Sequence, residues 1–147
     1  MHEVRTEIDI SATPARIWEV LTDFPAYAQW NPFVRSIAGQ PVKDGQLSIT
    51  VQPAGSKPMK FKPRVLVADA DSELRWLGHF LVRGVFDGEH YFQMTPNAQG
   101  GTRFVHGERF SGLLVGLAKS SLEGGTRSGF VAMNEALKAR AEAAGLQ

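Results

Sequence analysis

The stretch Ile10–Phe33, ISATPARIWEVLTDFPAYAQWNPF, decides how the chain is read. Thr13 offers an N-cap and Pro14 a first helical residue, a position that can spare its N–H. Ile17, Trp18 and Leu21 recur at helical spacing, which predicts a short helix from Pro14 to about Thr22. Asp23–Phe33 then sets Phe24, Tyr27 and Trp30 among Pro25 and Pro32, more rigid apolar surface than a surface turn needs. Such a segment either covers the end of a pocket or plugs a corner of the core.

Upstream, Val4, Thr6, Ile8 and Ile10 alternate with Arg5, Glu7 and Asp9, the period of a strand with one wet face. Downstream, six strand-like runs follow: Phe33–Gly39, Gln46–Pro53, Met59–Asp69, Leu74–Phe80, Val85–Pro96 and Thr102–Gly112. Their short connections favour antiparallel hairpins. Pro63 cannot donate to a ladder, so the third run is expected at an edge or a bulge, and Gly78 and Gly107 are expected bends. From Thr126 onward Phe130, Met133, Leu137 and Ala141 make the apolar stripe of a long helix. Gly124-Gly125 predicts a break or kink before it.

The chain has 147 residues, 43% of them hydrophobic and 21% charged, as expected of a single domain spanning 1–147 with its own core. Cysteine is absent, which removes disulfide scaffolds, thiolate metal sites and cysteine nucleophiles. A net charge of +1 gives no reason to expect nucleic acid as a partner, since that needs a basic face. The alternating N-terminus has no continuous apolar run, so neither a signal peptide nor a membrane span is expected, and the expected location is cytoplasmic.

In this order, ISATPARIWEVLTDFPAYAQWNPF, LRWLG, GEHYFQM, GGTRFVHGERFSGLL and RSGFVAMNEALKARAE resemble the START/Bet v 1-like helix-grip superfamily (SRPBCC). The chain looks most like its bacterial polyketide cyclase/dehydrase-like branch, and the resemblance covers nearly the whole length. It implies an α+β helix-grip fold: a seven-stranded curled antiparallel sheet wrapped around a long C-terminal helix, with two short helices after strand 1. It also implies a deep apolar cavity between sheet and helix, with Phe24, Tyr27 and Trp30 near its mouth. The superfamily's functions are diverse, so the fold alone assigns none.

Strand alternation sorts the faces. It places Phe61, Pro63, Val65 and Val67 inward, with Leu74, Trp76, Gly78 and Phe80, then His90, Phe92 and Met94, then Phe104, His106, Glu108 and Phe110. His79 falls on the solvent face. The candidate ligand-binding set is Trp30, Phe61, Val65, Trp76, Phe80, His90, Phe92, Met94, Phe104, His106 and Glu108, joined by Phe130, Met133 and Asn134 from the helix. A hairpin centred on Ala98 sets His90 opposite His106, and one centred on Gln99 sets it opposite Glu108. His90, His106 and Glu108 are the candidate acid–base groups. They also have the make-up of a two-histidine, one-carboxylate metal site, but inward polar groups more commonly bond one another or orient a ligand. No metal or other cofactor is expected.

Three functions fit. The leading one is binding of a hydrophobic small molecule (lipid, polyketide-like or aromatic) by a monomer or homodimer. A cyclase or dehydratase using His90, His106 and Glu108 is the second. The third is a protein-interaction module docking through the sheet's outer face or the Gly112–Leu117 run.

Overall fold

The computed structural model describes residues 1–80 and 82–144. Strand β1 (His2–Ile10) leads into α1 (Pro14–Thr22), a 3₁₀ turn (Phe24–Ala26) and α2 (Tyr27–Trp30). Strands β2 (Val34–Ala38), β3 (Ser48–Val51), β4 (Met59–Phe61), β5 (Arg64–Asp69), β6 (Glu73–Phe80), β7 (Phe86–Pro96) and β8 (Thr102–Ser111) follow. Helix α3 (Val115–Ser121) passes through a π-helical turn (Leu122–Thr126) into α4 (Arg127–Ala144). No described helix is long and apolar enough to cross a membrane.

The α+β helix-grip expectation holds, with one change of count. The strands form a five-stranded antiparallel sheet, order β1-β8-β7-β6-β5, and a three-stranded one, order β2-β3-β4. The run Met59–Asp69 is two strands, because the chain leaves one sheet and enters the other at Lys62-Pro63. Around that step Leu47 N–H donates to the Pro63 carbonyl (2.8 Å) and Val65 N–H to the Gly45 carbonyl (2.9 Å), splicing the sheets together. The missing proline N–H is placed where no ladder bond is lost. A bulge between Val65 and Val67 then shifts the parity of β5. Val67 pairs with Arg75 on the outer face, and Ala68, opposite Leu74, takes its place on the core.

Helix α1 starts as its sequence predicts, with Arg16 N–H donating to Thr13 Oγ1 at 3.1 Å and Pro14 in the first turn. Ile17, Val20 and Leu21 are buried, and Trp18 packs partly against the core. Phe24 and Tyr27 are buried too, and the Tyr27 hydroxyl donates to the Leu21 carbonyl. Burial raises the Tyr27 pKa, the neighbouring Asp23 charge adding to it, so the phenol stays neutral. Trp30 packs on Tyr27 at 5.2 Å between ring centroids. Phe24 and Tyr27 thus plug the core, with Trp30 half-buried against them.

The plug also aims its last ring. Asn31 Oδ1 accepts from Phe33 N–H (2.9 Å) and Val34 N–H (2.8 Å), a side-chain turn that fixes the start of β2. Phe33 therefore enters the interior, edge-on to Phe130 with centroids 5.3 Å apart. Gly129 on α4 makes this possible, since a β-carbon there would collide with the Phe33 ring. The expected break at Gly124-Gly125 is a π-helical turn rather than an interruption, and Gly125 lies against the Ala54 carbonyl too closely for a side chain.

Candidate functional site

A cavity of about 820 Å³ opens between the two sheets and under α3. Phe61, Trp76, Phe80 and Phe110 from the strands, and Phe33 from the plug, supply its aromatic wall. Ile49 and Val51 of β3, Pro53, Ala54, Ser56 and Lys57 of the β3–β4 loop, Met59 of β4, and Leu114, Leu117 and Leu122 also line it. His90 and Glu108 are polar groups of its sheet-side wall; Ser56, exposed Lys57, Ser121 and Thr126 lie on the loop and helix side.

Of the sequence candidates, Phe61, Trp76, Phe80, His90 and Glu108 line this cavity. Trp30, Val65, Phe92, Met94, Phe104, His106, Phe130, Met133 and Asn134 do not. Trp30 is half-buried on the plug and the other eight are buried. The inner end of the grip is filled. Phe92 stacks with Phe104 at 5.9 Å, Phe130 stacks on His106 at 4.2 Å, and Tyr27, Met133 and Leu137 are fully buried. The inward face is therefore core over one half and cavity wall over the other. Helix α4 belongs to the core half, and the helical wall is α3 and the turn after it. The sequence candidates omitted α3 and the β3–β4 loop; the apolar GLLVGL run signalled the first, but PAGSKP reads only as a turn. Phe33 and Phe110 are cavity residues that carried an aromatic signal in the sequence.

The β7–β8 hairpin pairs Pro96 with Thr102, which centres it on Gln99 and sets His90 opposite Glu108. His106 faces Phe92 but reaches His90 diagonally. The result is a continuous polar chain. Glu108 Oε1 lies 2.9 Å from His90 Nδ1, and His90 Nε2 lies 2.7 Å from His106 Nε2. His106 Nδ1 lies 2.9 Å from Asn134 Oδ1, Asn134 Nδ2 donates to Thr6 Oγ1 at 2.8 Å, and the Thr6 hydroxyl donates to the His106 carbonyl at 2.8 Å. Thr6, His90, His106 and Asn134 are all buried.

The carbonyl at the end of that chain fixes the direction of its hydrogen bonds as far as His106 Nδ1. A carbonyl only accepts, so Thr6 spends its single proton there and must accept from the Asn134 amide. The Asn134 oxygen is then turned to His106 and accepts from Nδ1–H. Burial and the neighbouring His90 charge hold the His106 pKa well below the ordinary histidine value, against the raising effect of its bonds to Asn134 and the Phe130 carbonyl. His106 is thus neutral, with a bare Nε2 that accepts from His90 Nε2–H. One proton remains between His90 Nδ1 and Glu108 Oε1, shared as imidazolium–carboxylate or imidazole–carboxylic acid. Both forms are neutral overall, which is what makes the pair tolerable beside Phe33, Trp76 and Phe130. The ring of Trp76 stacks on His90 at 5.2 Å. No cluster of three histidine, cysteine or acidic side chains suited to a metal occurs among the described residues.

Outside this site, His79 lies on the solvent face, where Nδ1 meets Asp87 Oδ1 at 2.8 Å. The outer sheet face is covered by charge, with Arg75 held by Glu73 (2.7 Å) and Glu89 (2.6 Å) over the Tyr91 ring. Near the cavity, Leu113 is 85% and Leu117 86% exposed.

A model of the family described as polyketide cyclase / dehydrase and lipid transport matches residues 1–142. No curated protein matches the chain. Among solved structures, an aromatase/cyclase from a Streptomyces species is 17% identical, with a TM-score of 0.78 over 96% of this chain and 93% of that one. A START superfamily protein from Mycobacterium smegmatis is 23% identical, with a TM-score of 0.68 over 97% and 98%. A Thermus thermophilus protein is 19% identical, with a TM-score of 0.76 over 97% and 99%. At these identities the likeness is one of fold.

Proposed function

Because the chain belongs to the polyketide cyclase/dehydrase and lipid transport family, we propose that its cavity binds a hydrophobic small molecule: a lipid, a polyketide-like compound or another aromatic. The observation that carries this reading is the cavity itself. Its volume of about 820 Å³ suits a compound of several fused rings or an acyl chain. Its walls are aromatic and aliphatic, and its sheet-side polar groups are held in fixed orientation by the chain from Glu108 to Thr6. Phe33, Phe61, Trp76, Phe80, Phe110 and Leu117 supply contact area, while His90 and Glu108 orient the ligand. His106, Asn134 and Thr6 act one step back, holding His90 in its tautomer and rotamer.

Native mass spectrometry of freshly purified protein, followed by denaturation and identification of what is released, tests this. A stoichiometric apolar adduct supports it. A bare mass, together with no saturable binding of polycyclic or acyl-chain probes, refutes it.

The second reading is a cyclase or dehydratase, favoured by the proton shared between His90 and Glu108 at the cavity wall. Such a pair can take a proton from one atom of a bound polyketide and return one to a departing oxygen. The aromatase/cyclase from Streptomyces shares the fold, which admits the chemistry without assigning it. His90→Gln separates the readings: it abolishes turnover if the pair is the acid–base group and changes only affinity if it orients ligand.

A further inference from the structure

Glu108 has two carboxyl oxygens, and only Oε1 is engaged. Oε2 has no hydrogen-bond partner among the described residues and is not one of their sealed, unpartnered atoms. It lies over Gly88, where any β-carbon would collide with it. Gly88, His90 and Glu108 all line the cavity, so the recess left by the missing side chain holds the carboxyl group at the cavity wall.

The protonation pattern fixes what Oε2 can do. If the shared proton sits on His90, Glu108 is a carboxylate and Oε2 accepts. If it sits on Oε1, which faces His90 Nδ1, Oε2 is the carbonyl oxygen of an acid and again accepts. Neither form gives Oε2 a proton to donate. The Glu108 end of the cavity is thus an acceptor in both states.

We propose that the ligand carries a hydrogen-bond donor, a phenolic or alcoholic hydroxyl, on the end that docks against Glu108 Oε2. This rests on the small-molecule reading above and narrows it: hydroxylated apolar compounds are selected, and a carboxylate is refused at this end by two facing acceptors. A methyl ether of the same skeleton fills the same volume but leaves Oε2 without a partner, a loss of at least about tenfold in affinity for a bond to an ionised or proton-sharing group.

The test is a fluorescence titration of the full chain with 1-hydroxypyrene, 1-methoxypyrene and 1-pyrenecarboxylate, repeated on Glu108→Met and Glu108→Gln. Circular-dichroism melting checks that each variant folds. In the unsubstituted protein the hydroxyl compound is expected to bind at least about ten times tighter than the ether. Glu108→Met erases that preference. Glu108→Gln largely keeps it, because its amide donates to His90 Nδ1 and leaves its oxygen facing the cavity. Equal binding of ether and hydroxyl compound overturns the inference while leaving the small-molecule reading intact. So does a carboxylate that binds as tightly as the hydroxyl compound and depends on Lys57 instead of Glu108, which would show the opposite polarity. If none of the three binds saturably, the small-molecule reading fails and takes the inference with it.

Discussion

Lowering the pH from 7.0 to 5.5 should destabilise this protein through one buried ring, His106. Unfolded, the ring titrates with a pKa near its ordinary value of 6.5; folded, desolvation and the adjacent His90 keep it neutral well below that. The folded pKa is depressed, so the unfolded chain binds the extra proton. Stability is complete above about pH 6.5 and is lost as the pH falls further. With the folded ring neutral across this range, protonation of the unfolded ring alone should cost on the order of 1 kcal/mol over the interval. Urea unfolding of the unsubstituted chain and of His106→Gln at both pH values isolates it. The variant loses packing and is less stable at both, but the gap between the proteins should narrow, by on the order of 1 kcal/mol, at pH 5.5. A gap that stays constant, or a His106 ring resonance that titrates near pH 6.5, refutes both the neutral ring and the proton assignment built on it.

Other consequences follow from single contacts. Gly129→Ala should destabilise, although alanine gains up to about 1 kcal/mol of helix propensity over glycine, because its β-carbon meets the Phe33 ring; thermal melting gives the sign. Tyr27→Phe leaves the Leu21 carbonyl without its donor and should cost about 1–3 kcal/mol in urea unfolding, with pyrene binding unchanged since Tyr27 lies in the core plug. Leu117→Ser should move stability by no more than about 0.5 kcal/mol, because the side chain is 86% exposed, yet weaken probe binding in the fluorescence titration because Leu117 lines the cavity.

Much of this architecture could be read from residue order. Thr13-Pro14 announces α1, and the alternation along β6, β7 and β8 places Leu74, Trp76, His90, Phe92, Met94, Phe104 and His106 inward, as they are found. The same alternation fails on β5 after one residue, because a bulge changes parity without a sequence mark of its own. Pro63 signals an irregularity but does not say that the chain changes sheets there. The boundary between core and cavity was less legible still. Phe92 and Trp76 have the same character and the same inward parity, but Phe92 meets Phe104 across the sheet while Trp76 borders open space, a difference set by tertiary packing. The hairpin spacing left two registers for His90, and a one-residue choice decided whether it would face a carboxylate or another imidazole.

A bound ligand should occupy the space between the two sheets and α3, with Glu108 and His90 on its wall, and not the space behind the aromatic plug. Backbone and side-chain NMR of the protein titrated with 1-hydroxypyrene tests this most directly. Shifts concentrated at Phe33, Ile49, Phe61, Trp76, His90 and Leu117, with Tyr27, Phe104 and Met133 unmoved, are the predicted result. Shifts centred on Tyr27, Phe104 and Met133, or scattered non-saturably over the surface, would contradict it.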